Sequence, residues 1–232
     1  MDIPSLTTEQ MREVDRLMIE VFNITLIQMM ENAGRNLADL AQEKTGYQNQ
    51  AKFLILCGSG NNGGGGMVAA RHLINRGLSV DLVLISNKES LKDVPRHQWS
   101  ILEKMGHDSV SIPNPLDYDL IIDAMIGYGL KGNPRGSAAK WIEKINAATL
   151  PILSLDVPSG LDATLGIPQE PCTRAAATLT LALPKIGLLT PAAKDFVGDL
   201  YLADISVPQK LYERLDIDIG SIFLKSSIIK IV

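Results

Sequence analysis

Short apolar runs alternate with amphipathic segments along this chain from about residue 53 onwards. The apolar runs predict strands at residues 53–57, 80–85, 120–124, 152–155 and 178–183, with 200–203 added at the edge of the sheet. Helical spacing of apolar residues predicts helices at about 68–76, 96–105 and 138–147. Strands that are apolar along their whole length are typical of a parallel sheet buried on both faces. The pattern therefore predicts an α/β fold with a mostly parallel central sheet between helices.

Two amphipathic helices are predicted before the first strand. Thr7 and Gln10 have the spacing of a capping box, which predicts a helix start there. A second helix is predicted from residue 25 to about 43, with its apolar residues on one face. This stripe is interpreted as core or as a subunit contact. Because Met29 and Met30 make it more apolar than a lone surface helix requires, we look for a dimer interface there.

Composition narrows the class of protein. A chain of 232 residues suits one domain, here divided into N-terminal helices (1–50), a core (51–210) and a C-terminal extension (211–232). The net charge of −4 gives no electrostatic footprint for nucleic acid. Cys57 and Cys172 provide neither a disulfide framework nor zinc spacing. No signal sequence or membrane-length apolar run is evident, so we expect a cytoplasmic location and no membrane partner.

A glycine- and asparagine-rich segment, residues 58–66, separates the first predicted strand from the next helix. It reads Gly-Ser-Gly-Asn-Asn-Gly-Gly-Gly-Gly. Glycines let the backbone approach a ligand closely, and the free N–H groups of a helix start attract anions. A tight structural turn explains the glycines equally well. The Asn61-Asn62 pair is what favours a binding site.

Polar residues beside Gly or Pro follow three further strands. They lie in the segments 123–135, 156–162 and 184–187, which begin with Asp123, Asp156 and Pro184. Because the carboxyl ends of parallel strands meet at one edge of a sheet, where ligands bind, these groups should converge. The convergence is more specific than any single motif. No phosphate-binding Gly-Lys-Ser/Thr loop and no Gly-x-Ser-x-Gly elbow is present, and an ordinary dehydrogenase is disfavoured.

Two carboxylates and a set of oxygen ligands are the candidate chemistry of this edge. Desolvation at the end of an apolar strand would raise the pKa of Asp123 into a useful acid–base range, although capping or cation binding is the alternative for it and for Asp156. Oxygens of Asn62, Asp123 and Ser159 would suit an alkali or alkaline-earth cation. Lys185 and Arg135 are candidate phosphate partners, although a solvated surface position is the commoner fate of either residue type.

Taken together, these motifs resemble the NAD(P)H-hydrate epimerases, the family of the YjeF N-terminal domain. The resemblance is carried, in family order, by residues 30–35, 58–73, 123–135, 156–162, 184–187 and 198–205. It implies a Rossmann-like three-layer α/β/α sandwich, usually a homodimer. It also implies an enzyme that interconverts the R and S forms of hydrated NADH and NADPH (NADHX and NADPHX). The dehydratase often fused to this domain is expected to act from a separate polypeptide.

The resemblance also implies roles for individual residues. It makes Asp123 the catalytic group and assigns one potassium ion per subunit to Asn62, Asp123 and Ser159. It assigns substrate contacts to Asn61, Asn62, Gly63, Gly64, Gly65, Gly127, Tyr128, Gly129, Leu130, Lys131, Gly132, Asn133 and Asp156.

One residue departs from the family pattern. The family loop reads Asn-Asn-Gly-Gly-Asp-Gly, and the fifth position here is Gly65. An Asp there would stabilise a helix start by up to about 1 kcal/mol and would offer a polar group to the substrate. The alternative function is therefore a catalytically weakened nucleotide-binding or scaffold module of the same fold.

Overall fold

The computed structural model describes residues 3–231; Met1, Asp2 and Val232, at the two ends of the predicted domain, lie outside the described residues. One seven-stranded sheet runs through these residues, in the order β2-β1-β3-β4-β5-β6-β7. β1 to β6 are parallel, and β7 is antiparallel to β6. The strands are β1 (Lys52–Cys57), β2 (Ser79–Leu84), β3 (Leu120–Ala124), β4 (Ile152–Leu155), β5 (Ala177–Leu181), β6 (Asp199–Ala203) and β7 (Ile228–Lys230).

Helices cover both faces of this sheet, which confirms the three-layer α/β fold. They are α1 (Thr8–Glu20), α2 (Leu26–Lys44), α3 (Asn61–Asn75), α4 (Asp93–Lys104), α5 (Gly136–Asn146), α6 (Lys194–Val197) and α7 (Gln209–Glu213). Capping boxes begin α1 at Thr7, as predicted, and α2 at Thr25. None of the helices within residues 3–231 is both long and apolar enough to cross a membrane.

The alternation of side chains in β3 and β4 decides which groups face which helices. Ile122 and Leu155 pack in the core formed with α2, α3 and α4, whereas Ile121 packs in the core formed with α5. Because successive side chains of a strand point to opposite faces, Asp123 shares the α5 face with Ile121. Asp123 is also in register with Ser154 of β4.

Three expectations are wrong: the edge position of β6, the dimer interface at Met29 and Met30, and the start of α3 near residue 68. β6 is not at the edge of the sheet, because β7 pairs with its outer side. β7 comes from the predicted C-terminal extension, which begins inside α7. Met29 and Met30 are each only 5% exposed and pack within the chain, so the α2 stripe is core and offers no dimer interface at these two residues.

The third difference is the start of α3, which begins at Asn61 and not near residue 68. Glycine is a poor helix former, so close packing must compensate for its low propensity. A Cβ atom at Gly63 would lie 1.9 Å from the carbonyl oxygen of Gly58, and one at Gly34 of α2 would lie 2.4 Å from the Cβ atom of Val68. Small residues therefore let the first turns of α3 lie directly against β1 and α2.

Candidate functional site

A cavity of about 530 Å³ opens at the carboxyl edge of the sheet, between α1, α2, the start of α3 and the loops after β3 and β4. Its volume is in the range of small-molecule sites. Apolar lining comes mainly from α1, α2 and β4, through residues such as Met11, Met29, Met30 and Leu155. The polar lining comes from Arg12, Asp15, Asn61, Asn62, Lys92, Tyr128, Lys131, Asp156 and Lys185. The predicted convergence of strand ends thus forms a concave site.

A buried ion pair is the most polar feature of this wall. The side chain of Lys185 is 0% exposed, and its Nζ atom contacts Oδ1 of Asp156. Nζ also donates to the carbonyl oxygen of Leu181 at 2.9 Å and contacts Oγ1 of Thr180 at 3.4 Å. Taking an ammonium group out of water is costly unless it is paired and hydrogen-bonded. The alternative of a solvated surface position is therefore wrong for Lys185, since Asp156 and β5 supply its partners.

The backbone of Asp156 is unusual. Its φ angle is +68°, a left-handed conformation rare for residues other than glycine, and its N–H donates to the carbonyl oxygen of Leu179 at 2.7 Å. The other carboxylate oxygen, Oδ2, accepts the backbone N–H of Tyr128 at 3.1 Å. Because Asp156 follows the last residue of β4 and departs from strand geometry, its side chain is free of the strand alternation and reaches the cavity.

A second carboxylate, that of Asp15 in α1, lines the cavity. Asp15 accepts a hydrogen bond from the phenolic hydroxyl of Tyr128, which links α1 to the loop after β3. Burial raises the pKa of Asp15, and the bond from Tyr128 opposes that shift. Burial also raises the pKa of Tyr128. Asp15 was missed from the sequence, whereas Tyr128 was among the predicted substrate contacts.

Asp123 lies outside the lining of this cavity. It is 0% exposed, and its carboxylate accepts hydrogen bonds from Ser159 N (2.8 Å), Ser159 Oγ (2.6 Å), Ser154 Oγ (3.1 Å) and Met125 N (3.2 Å). Burial raises the pKa of Asp123, and the bonds from Ser159 oppose that shift. The carboxylate thus ties the loop after β3 to the loop after β4.

Eight of the thirteen predicted substrate contacts line the cavity: Asn61, Asn62, Gly65, Gly127, Tyr128, Gly129, Lys131 and Asp156. The other five lie elsewhere. Gly63 packs on the backbone of Gly58, and Gly64 packs beside the Met30 side chain. Leu130, Gly132 and Asn133 belong to the outer part of the loop before α5, where Asn133 accepts a hydrogen bond from the Glu170 backbone. Arg135 is exposed at the start of α5.

Gly65 is the fifth residue of α3 and lines the cavity. The expected stabilisation of a helix start by an Asp at this position is therefore wrong, because the dipole effect is confined to the first turn. A Cβ atom at Gly65 would lie 2.7 Å from Cδ2 of Leu155. Since that atom ends a flexible side chain, a larger residue requires only a movement of Leu155.

Oxygen ligands of the kind that potassium takes lie around Ile126 and Gly127. The backbone N–H of Ile126 donates to Ser159 Oγ at 2.9 Å, and the Asn62 amide lies 3.3 Å from the Cβ position of Gly127. Nδ2 of Asn62 is buried without a hydrogen-bond partner. Rotating this amide by 180° exchanges its nitrogen and oxygen, so the unpartnered position suits a cation as well. The amide, carboxylate and hydroxyl oxygens of Asn62, Asp123 and Ser159 are of the type that a hard monovalent ion takes.

Comparison with known proteins gives the family. Residues 26–187 match the domain described as YjeF-related protein N-terminus. An NAD(P)H-hydrate epimerase from Dehalogenimonas lykanthroporepellens is 44% identical over 91% of this chain and 86% of that protein. A bifunctional NAD(P)H-hydrate repair enzyme from Moorella thermoacetica is 38% identical over 89% of this chain, which matches only 41% of that protein.

The same fold is found in the crystal structure of the yeast protein ynu0. The two structures superpose with a TM-score of 0.84 over 99% of this chain and 100% of the yeast chain, at 22% sequence identity. The domain match and the relatives together cover the strand-end segments that build the cavity. The chain therefore belongs to the NAD(P)H-hydrate epimerase family, the family of the YjeF N-terminal domain.

Proposed function

We propose that this cavity binds hydrated NADH and NADPH and interconverts their R and S forms at carbon 6 of the nicotinamide ring. The observation that carries the proposal is the Asp156–Lys185 ion pair, buried in the wall of the cavity at the strand ends. Charged groups in a desolvated cleft are typical of acid–base sites. The activity of the relatives at 31–44% identity agrees with this chemistry.

The chemistry requires a proton to move twice. Carbon 6 of the hydrate bears a hydroxyl group and the ring nitrogen, so it is a hemiaminal. Its configuration inverts when one carbon–heteroatom bond opens and re-forms on the other face, and a group that accepts and returns a proton speeds both steps. The apolar lining from α2 excludes water from the ring and strengthens the electrostatic interactions in the cavity.

The rest of the dinucleotide is expected to leave the cavity past three exposed cations. Arg12, Lys92 and Lys131 line its rim and are exposed. Phosphate groups bind such side chains, Arg through its planar fork and Lys as a point charge. Two of the three, Arg12 and Lys92, were not identified from the sequence, because single cations on a helix and in a loop carry no motif.

A potassium ion would be held by Asn62, Asp123 and Ser159. When bound, it would supply positive charge that neutralises the Asp123 carboxylate and holds the two strand-end loops in place. Within residues 3–231 no group of three or more His, Cys, Asp or Glu side chains could hold a metal. A set with a single carboxylate suits a monovalent ion better than a divalent one.

The direct test uses the protein, mixed R and S hydrates, and an S-specific dehydratase from another source. The dehydratase consumes the S form, and the R form then disappears only as fast as it epimerises. We expect this protein to accelerate loss of the R form, followed by chromatography, well beyond its spontaneous rate. An unchanged rate in the presence of potassium would contradict the proposal.

A second candidate function is a nucleotide-binding module without turnover, and Gly65 favours it. The structure has a Leu155 methyl group next to the place where the family carries a carboxylate. Calorimetry that detects nucleotide binding by a folded protein with no turnover would support this candidate. The homodimer, testable by light scattering, and the cytoplasmic location remain predictions.

A further inference from the structure

We propose that Asp156, and not Asp123, is the group that exchanges protons with the substrate, and that Lys185 is the positioning residue that orients and neutralises it. The inference rests on the proposed function, because it assigns residues to that reaction. Three observations support it: the placement of the two carboxylates, the backbone of Asp156 and the complete burial of Lys185.

The two carboxylates differ first in their position relative to the cavity. A general base must come within hydrogen-bond reach of the proton that it removes. Asp156 lines the cavity, whereas Asp123 lies on the α5 face of β3 and outside the lining. Each oxygen of Asp123 already accepts two hydrogen bonds from Met125, Ser154 or Ser159, whereas each oxygen of Asp156 accepts one. A ligand in the cavity therefore meets Asp156.

The backbone of Asp156 is held in a rare conformation. A residue other than glycine is strained in the left-handed region. The neighbouring strand β5 holds this conformation through the bond from Asp156 N to Leu179 O. Strain of this kind is tolerated where the surrounding structure fixes a side chain for a task. Here it turns the carboxylate out of the strand and into the cavity.

Lys185 completes the arrangement without meeting solvent. Lys185 also lines the cavity, but its side chain is 0% exposed and its Nζ atom is already bound by Asp156, Leu181 and Thr180, so Lys185 acts through Asp156. Its Nζ atom holds Oδ1, and the backbone N–H of Tyr128 holds Oδ2 from the other side. Each oxygen keeps a lone pair for the substrate. The orientation of the carboxylate is therefore set by two elements, the loop after β5 and the loop after β3.

The reaction balances with one proton and this one carboxylate. Asp156 removes the proton of the C6 hydroxyl group, the C6–N1 bond breaks, and its electron pair goes to N1 while the hydroxyl oxygen becomes an aldehyde. Asp156 then gives the proton to N1. After rotation about C5–C6, the same steps run in reverse on the other face of the aldehyde. No other reactant is consumed or released.

The test compares Asp156→Asn and Asp123→Asn in the coupled assay with saturating potassium. An acid–base group typically contributes about 10²–10⁴-fold. We expect Asp156→Asn to lower kcat by about that factor with little change in KM, and Asp123→Asn to lose less than about tenfold. Asp199→Asn, at an exposed ion pair with Lys44 and Lys230, is the matched control and should leave kcat unchanged.

Folding and the role of Lys185 need two further variants. Asp156→Asn leaves Lys185 buried without a charged partner, so the double variant Asp156→Asn/Lys185→Met removes both charges. We expect it to fold, by circular dichroism, and to be as inactive as the single variant. Lys185→Arg should restore part of the kcat that Lys185→Met loses at similar KM, which a purely structural role would not require.

The possible results distinguish a failure of the proposed function from a failure of the roles assigned to Asp156 and Lys185. A wild-type protein without activity contradicts the proposed function itself. An active wild-type protein whose folded Asp156→Asn or double variant keeps more than a tenth of kcat overturns the role of Asp156. A folded Asp123→Asn variant with a kcat loss as large as that of Asp156→Asn overturns the distinction between the two. Equal activity of Lys185→Met and the wild type overturns the role of Lys185.

Discussion

Asp123 and Asp156 come at the ends of neighbouring parallel strands and carry the same functional group, yet they lie in different environments. Asp123 belongs to β3, faces the α5 side and binds the loops around it. Asp156 follows the last residue of β4, has a positive φ angle and lines the cavity with Lys185. A strand end therefore supplies two kinds of position: the last residues of the strand keep the pleat, whereas the first residue beyond it can turn towards the ligand.

The partners of the two carboxylates differ in the same way. Asp123 is satisfied by neutral donors from Met125, Ser154 and Ser159, which connect two loops. Asp156 is satisfied by a charge from Lys185 and by one N–H group. Neutral donors suit a carboxylate that holds loops together. A single buried ammonium group and one N–H group suit a carboxylate that is held in one orientation at the cavity.

The largest effect on stability is expected when the Asp156–Lys185 ion pair is broken. Lys185→Met removes the ammonium group and leaves the Asp156 carboxylate buried, which typically costs about 3–5 kcal/mol of the free energy of unfolding. Urea denaturation measures it. Lys44→Met, which removes a partly exposed partner of Asp199, is the control and should cost no more than about 1 kcal/mol. If the two variants are equally stable, the burial of Lys185 does not impose the expected cost.

A medium effect is expected at Asp123. Asp123→Asn replaces a carboxylate that accepts four hydrogen bonds with a neutral amide, and we expect a loss of about 1–3 kcal/mol in the free energy of unfolding. Burial raises the pKa of Asp123 in the folded state. Its contribution to stability is therefore largest below the pKa of the unfolded chain and falls as pH rises through the folded value.

Urea denaturation over a range of pH tests the sign of that contribution. The stability of the wild type relative to Asp123→Asn should decrease from acid towards neutral pH. A difference that grows with rising pH would mean that the hydrogen bonds from Ser159 outweigh burial and hold the pKa of Asp123 below its usual range. Asp123 would then be more strongly committed to its ionised form than its burial indicates.

Asp123 and Asp156 also show how much of the site could be predicted from the sequence. The apolar runs of β3 and β4 predicted both strands with their observed bounds; Asp123 is the next-to-last residue of β3, and Asp156 directly follows β4. Strand alternation predicts that Asp123 and Ala124 point to opposite faces of the sheet. No local feature of the sequence shows which of these faces carries the cavity. That depends on how α2 and α3 pack over β4. The left-handed backbone of Asp156 and its pairing with Lys185 are likewise tertiary properties.

The start of α3 shows the same limit for a helix. Four consecutive glycines, residues 63–66, have poor helix propensity, and they led to a predicted turn where the structure has two turns of helix. The close approach of Gly63 to Gly58 and of Gly34 to Val68 is what only small residues allow. Tertiary packing overrides propensity here, because the helix gains contacts that larger residues would prevent.

A smaller effect is expected when a third carboxylate is added at the cavity. Gly65→Asp places a side chain against Leu155, so we expect about 1 kcal/mol of overpacking cost. If glycine weakens the enzyme, a hydrogen bond from a nucleotide hydroxyl group to the new carboxylate should raise kcat/KM by about tenfold. Gly65→Ala is the control, because it adds the Cβ atom without the carboxylate. Equal kcat/KM for both variants and the wild type would show that glycine suits this cavity.

The smallest effect is expected at the cations of the rim, which contrast with buried Lys185. Lys92 and Lys131 are exposed, and solvent-screened charges contribute about 0.2–1 kcal/mol each. Lys92→Ala and Lys131→Ala should therefore raise KM by no more than about fivefold and leave kcat unchanged. The rise in KM should shrink at high salt, because screening weakens the wild-type contact. Lys194→Ala, at the start of α6 away from the cavity, provides the control, with KM unchanged. A change in kcat would instead place one of these lysines at the reacting ring, beside Asp156.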